Sequence, residues 1–143
     1  MPMASLGPSS GVFADSFIFI ALLNPSDAFH ARAIEAIENL SGRLVTTHWI
    51  LMEVADALCV PSYRVSVARF LRDLSKNSGT EIIPPQQILY ERGLELYSTR
   101  LDKAWSLTDC ISFVVMNERG LTDALTGDRH FEQAGFRALL RQG

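Results

Sequence analysis

From Ser106 to Phe131 the chain reads SLTDCISFVVMNERGLTDALTGDRHF, and this stretch limits the possible folds more than any other. Ser106 followed three residues later by Asp109 has the form of a capping box, so a helix with an apolar face begins here. A short apolar strand comes next and runs into Gly127-Asp128. One acid, Asp109, stands at the start of the helix, and another, Asp128, stands just past the strand. In a parallel sheet both places lie at the carboxyl edge, where open α/β folds put their sites.

The rest of the chain repeats the alternation of strand and helix. The run Gly11-Val12-Phe13-Ala14 is a first strand ending at Asp15, and Ser16 leads into Phe17 to Leu23, apolar on all sides and so a buried helix. That helix stops at Asn24-Pro25. Ser26-Asp27 can cap a second helix, with Phe29, Ala33, Ile34, Ile37 and Leu40 at helical spacing. Leu44 to Thr46 is a second strand. The pattern predicts a third helix over Trp49 to Val60, closed by Pro61, and a fourth over Ser62 to Lys76 with Val65, Ala68, Phe70, Leu71 and Leu74 on its apolar side. Thr80 to Ile83 is a third strand stopped by Pro84-Pro85, and a fifth helix covers Gln86 to Arg100. Arg129 to Gln133 makes a helical turn, and a last short strand lies near Phe136 to Ala138. About five strands alternating with helices predict an α/β fold with a small, mainly parallel sheet.

A chain of 143 residues is one ordinary domain, and 48% hydrophobic with 20% charged residues is globular. Residues 1–11 have neither a cationic region nor an apolar run, which predicts a disordered leader, with the domain over residues 12–143. The net charge of −3 gives no general basic field for nucleic acid, although an acidic metal site would itself contribute negative charge. Cys59 and Cys110 both fall on apolar helical patterns, so buried free thiols in a reducing cytoplasm are expected. Phe17 to Leu23 is too short to span a bilayer.

Four carboxylates occupy matching places. Asp15 follows the first strand, Glu53 lies on the helix after the second, Asp109 opens the helix before the fourth, and Asp128 follows the fourth. With parallel strands these groups share one edge and would repel strongly without a cation among them. Oxygen ligands suit Mg²⁺ or Mn²⁺, and an ion there can activate water for in-line attack on a phosphodiester. No cysteine or histidine set has zinc spacing. Each acid also has a structural reading: Asp109 as capping box, Asp128 as turn residue, Asp15 as helix cap, Glu53 as partner of an arginine. Glu53 interrupts an apolar run, where an unpaired charge is costly, and the joint placement of all four carries the functional reading. Ser16, Ser112 and Thr126 stand close enough in sequence to support the acids or to cap backbone locally, and His48 and His130 lie near the same edge.

The segments Ala14-Asp15-Ser16, Thr46-Thr47 with Glu53, Ser106 to Phe113 and Leu125 to Phe131 together resemble a PIN domain, in particular the VapC-type toxin ribonucleases. The resemblance extends from Val12 to Leu139. It implies a three-layer α/β/α sandwich, Mg²⁺- or Mn²⁺-dependent endoribonuclease activity, and Asp15, Glu53, Asp109 and Asp128 as the metal ligands. It also implies a homodimer, an RNA substrate and, for toxin members, a small antitoxin whose C-terminal tail enters the acidic groove. The chain departs from the family in Ser16-Phe17 after the first acid, where a small β-branched residue is usual, and in a longer leader.

Hydrolysis on this reading leaves 5′-phosphate and 3′-hydroxyl ends, because the 2′-hydroxyl is not needed as the nucleophile. Arg64, Arg69, Arg72, Arg100, Lys103 and Arg129 are candidates for contacts with the RNA backbone. Two other classes compete. A phosphoacceptor receiver domain needs a lysine late in the chain at the carboxyl edge, whereas the only lysines are Lys76 and Lys103. A non-catalytic PIN-like interaction module has no reason to keep all four acids.

Overall fold

Every run expected to be a strand is one in the computed structural model, which describes residues 11–141. The leader expected over residues 1–11 lies, Gly11 apart, outside the described residues. The strands are β1 (Val12–Ala14), β2 (Leu44–Thr47), β3 (Thr80–Ile83), β4 (Asp123–Leu125) and β5 (Arg137–Ala138). They form one sheet in the order β3-β2-β1-β4-β5, parallel at every pairing. Phe13 of β1 stands opposite Val45 on one side and Ala124 on the other. β1 and β2 are buried along their whole length, as a parallel sheet covered on both faces requires.

The helices are α1 (Ser16–Leu23), α2 (His30–Glu38), α3 (His48–Ala57), α4 (Pro61–Ser75), α5 (Gln87–Thr99), α6 (Leu107–Arg119) and α7 (Arg129–Gln133), with a last 3-10 turn over Leu139–Arg141. The chain steps from β1 outward to β3 through α1–α4, then crosses back to β4 through α5 and α6. Right-handed crossovers therefore put α1–α4 on one face and α5–α7 on the other. This is the three-layer α/β/α sandwich. The strand order reverses between β1 and β4, so the crevice of the fold lies between their carboxyl ends.

Aromatic packing fixes α6 and α7 to the sheet. The Phe113 ring meets Trp105 and Phe131 edge-on, at 5.0 and 4.9 Å between centroids, and Phe131 lies 6.3 Å from Phe13 of β1. Such pairs add roughly 0.5–1.5 kcal/mol each to the burial of their area. α5 and α6 touch at Gly93, where a Cβ would stand 2.4 Å from Ile111 Cγ1.

The structure corrects several local expectations. The third helix ends at Ala57, and Pro61 opens α4 at its first position instead of closing α3. A missing N–H costs nothing in the first turn of a helix, which is why proline suits that place. Cys59 consequently falls in the connection and is exposed, while Cys110 is buried. On α4 the buried stripe is Val67 and Leu74 with Phe70 and Leu71 half-buried, and Val65 is 70% exposed on the opposite side. The spacing 67, 70, 71, 74 is one helical face, and position 65 does not share it. Asp27 does not cap α2 directly. It accepts from Phe29 N–H at 2.8 Å in a turn ahead of the helix, which starts at His30. Among the described residues no helix is long and apolar enough to cross a membrane.

Candidate functional site

Asp15, Asp109 and Asp128 are placed by the ends of regular elements, and Glu53 by the middle of α3. Asp15 is the N-cap residue of α1, directly after β1, yet its carboxylate makes no cap bond. It accepts instead from Thr126 Oγ1 at 2.8 Å, across the crevice from the segment after β4. Thr126 Oγ1 also accepts from the Asp128 backbone N–H at 3.0 Å. One buried hydroxyl thus ties the end of β1 to the end of β4. Asp128 caps α7, its Oδ1 accepting from His130 N–H at 2.9 Å.

The Ser106–Asp109 capping box forms as its spacing predicts. Asp109 N–H donates to Ser106 Oγ at 3.0 Å, and Ser106 N–H donates to Asp109 Oδ2 at 3.1 Å. The box aims Asp109 across the crevice, so the structural and functional readings of this residue are compatible. Glu53 lies half-buried on α3, where Ser16 Oγ donates to its Oε1 at 2.6 Å. The partner of this interior charge is therefore a hydroxyl of α1 and not an arginine.

Asp109, Asp128 and His130 each offer a ligand atom within 4.8 Å of the others. His130 Nδ1 stands 3.2 Å from Asp109 Oδ2 and 3.4 Å from Asp128 Oδ1. The His-Phe pair after Asp128 signals this residue in the sequence, but nothing in the sequence indicates that the first turn of α7 turns its ring toward Asp109. Ser112 takes the purely local role: its hydroxyl donates to Thr108 O at 3.0 Å. His48 is exposed at the start of α3.

Burial and mutual repulsion dominate the electrostatics. Burial pushes the Asp15 carboxyl up from 3.8 to about 7, helped by the charges of Asp109 and Glu53 and opposed by the Thr126 hydrogen bond. Glu53 is raised by burial first and then by the charges of Asp109 and Asp128. Asp109 is raised by burial and by Asp128, with Ser106 and His130 acting against the shift. Asp109 feels the charge of Asp128, Glu53 those of Asp109 and Asp128, and Asp15 those of Asp109 and Glu53, although Asp15 and Glu53 stand outside the 4.8 Å group. An arrangement that resists holding several negative charges is suited to a hard cation with oxygen ligands.

The candidate backbone cations are dispersed. Arg129 is exposed next to Asp128, Arg69 and Arg72 are exposed on α4, and Arg64 donates to Cys59 O at 2.9 Å. Arg100 pairs with Asp102 at 3.0 Å, and Lys103 lies 3.9 Å from the same carboxylate.

Known proteins agree with this architecture. The crystal structure of VapC20 from Mycobacterium tuberculosis, a sarcin-ricin loop cleaving toxin, is similar with a TM-score of 0.79 and 25% identity, over 87% of this chain and 95% of the other. No curated protein sequence matches the chain. The PIN domain model matches residues 12–137, nearly the whole described structure and all four acids. The chain belongs to the PIN domain family.

Proposed function

We propose that this protein is a divalent-metal-dependent endoribonuclease whose site is built by Asp15, Glu53, Asp109 and Asp128. The observation that carries the reading is the gathering of four acids at one sheet edge, where burial first and neighbouring acids second hold Asp15, Glu53 and Asp109 above their ordinary range. Burying like charges is costly, and a fold keeps such a set where a cation relieves it. Mg²⁺ or Mn²⁺ fits the oxygen-rich donor set, with ligand atoms of Asp109, Asp128 and His130 gathered within 4.8 Å of one another. When bound, such an ion supplies Lewis-acid activation of water and neutralises charge at the phosphate.

The chain's own residues have separate tasks. Thr126 holds Asp15 and the Asp128 backbone in register, Ser106 orients Asp109, and Ser16 orients Glu53. A carboxylate left free of the ion takes the proton of the attacking water. The leaving 3′ oxygen needs a proton donor, and the His130 imidazole lies beside the Asp109–Asp128 pair to serve it. The structural likeness to a sarcin-ricin loop cleaving toxin supports RNA as substrate and a small antitoxin as partner. Homodimerisation and a cytoplasmic location belong to the same reading.

The test is cleavage of varied RNAs by purified protein with Mg²⁺, Mn²⁺ or EDTA, beside Asp109→Asn. Metal-dependent cutting that the variant lacks, leaving 5′-phosphate ends, is the expected result. Cutting that persists in EDTA or in the variant overturns the assignment. A folded wild type that binds no Mn²⁺ supports the interaction-module reading instead.

A further inference from the structure

An open cleft of about 700 Å³ lies where α5 passes into α6. Its lining includes Tyr97, Arg100, Leu101, Lys103, Trp105 and Ser106. Tyr97 is 50% exposed and Leu101 88% exposed, so a flat aromatic and a large aliphatic group face solvent. The backbone of Lys103 donates to Arg100 O at 3.2 Å, a turn that sets the two cationic residues on either side of Leu101 and Asp102. The Arg100 guanidinium lies 4.9 Å over the Trp105 ring. Trp105 is itself held by its Nε1–H donating to Gln133 Oε1 at 3.0 Å.

The cleft adjoins the acidic centre. Its wall residue Ser106 is the residue that exchanges hydrogen bonds with Asp109. Ser106 thus joins the wall of the cleft to the support of Asp109, so a chain bound at the acidic centre has the cleft as a neighbour. Aromatic faces for stacking, interleaved with cations for phosphate, are what an unpaired nucleotide requires. Asp102 faces both cations, but its side chain is 62% exposed, and a surface pair of this kind yields to a phosphate.

We propose that this cleft is a nucleotide subsite for single-stranded RNA, with a base stacked on Tyr97 against Leu101 and the adjoining phosphate held by Lys103 and Arg100. The proposal rests on the ribonuclease reading and adds the place where the substrate flanking the scissile bond is held.

Binding of a labelled single-stranded RNA of about a dozen nucleotides, followed by fluorescence anisotropy in EDTA, tests it without requiring turnover. Tyr97→Ala and Lys103→Gln are compared with wild type and with Val65→Ala, an exposed change on α4. Each cleft variant is expected to weaken binding about tenfold. Lys103→Gln alone should lower the salt slope by about 0.7, the value for one phosphate contact on a single strand. RNA carrying 4-thiouridine should crosslink within residues 97–107. Wild-type protein that binds and cuts while both variants bind within twofold of it, or crosslinks that fall elsewhere, overturns the subsite and leaves the nuclease standing. Wild-type protein that neither binds nor cuts overturns both. RNA bound through the cleft by a protein that cuts nothing overturns the nuclease reading alone.

Discussion

Asp15 is the residue most altered by the fold. Its carboxyl titrates near 7 in the folded protein against 3.8 for an ordinary aspartate. Between those values the native state holds a proton that the unfolded chain has released, so stability falls as pH rises from about 4 to about 7. The shift corresponds to about 4 kcal/mol. Glu53 and Asp109 are raised as well and act in the same direction. Thermal melts in EDTA across this range should show the decline, and Asp15→Asn should lessen it because the amide does not titrate, while its oxygen still accepts from Thr126. Thr126→Val should cost about 1–3 kcal/mol, since it strips a buried carboxylate and the Asp128 N–H of their shared partner. It should also weaken Mn²⁺ affinity about 10–100-fold, as loss of a supporting hydrogen bond does elsewhere, measured by calorimetric titration.

At the level of elements, two close approaches decide how the helices sit. At Gly127 a Cβ would lie 2.5 Å from Phe17 Cζ, so the ring of α1 rests directly on the backbone beside Asp128. Phe17, second of the Ser16-Phe17 pair that follows the first acid, is thereby matched to a glycine before the fourth acid. Gly127→Ala should cost about 1–3 kcal/mol through overpacking and displace Asp128, lowering cleavage more than stability alone explains. Gly93 gives the second case. Alanine is the better helix former by up to about 1 kcal/mol. A Cβ at Gly93, however, meets Ile111 Cα at 3.2 Å as well as its side chain, so backbone must move. Gly93→Ala should therefore lower the denaturant midpoint, because separating α5 from α6 outweighs the gain in propensity.

For the molecule as a whole, the proposed site links metal to folding. A ligand present at a hundred times its Kd adds about 2.7 kcal/mol. At about 2–4 °C per kcal/mol for a chain near this length, saturating Mn²⁺ at pH 8 should raise the Tm by roughly 5–10 °C. The double variant Asp109→Asn with Asp128→Asn should show no such rise while keeping the far-ultraviolet spectrum of the wild type. Two ion pairs brace the outside of the fold independently of this linkage, Arg119 with Glu81 of β3 and Arg92 with Glu118 between α5 and α6.

The fold class was legible in the sequence because short strand runs, Val12–Ala14, Leu44–Thr47 and Thr80–Ile83, alternate with helical patterns, the signature of a parallel sheet with crossover helices. The positions of the acids were legible for the same reason: the end of a parallel strand and the start of a returning helix share an edge, whatever the packing details. The Ser106–Asp109 box is set by spacing alone. Packing geometry decided the rest. On α4 the spacing 67, 70, 71, 74 already separates Val67 from Val65, and packing decided that this face is the one buried. The exposure of Cys59 followed from where α3 ends, which tertiary contacts determine. That Glu53 is met by Ser16, Asp15 by Thr126, and Asp109 by His130 are long-range facts, created only when β1, β4 and three helix ends come together. A linear sequence specifies which groups carry charge, and only the closed fold determines how far they lie from one another and from water.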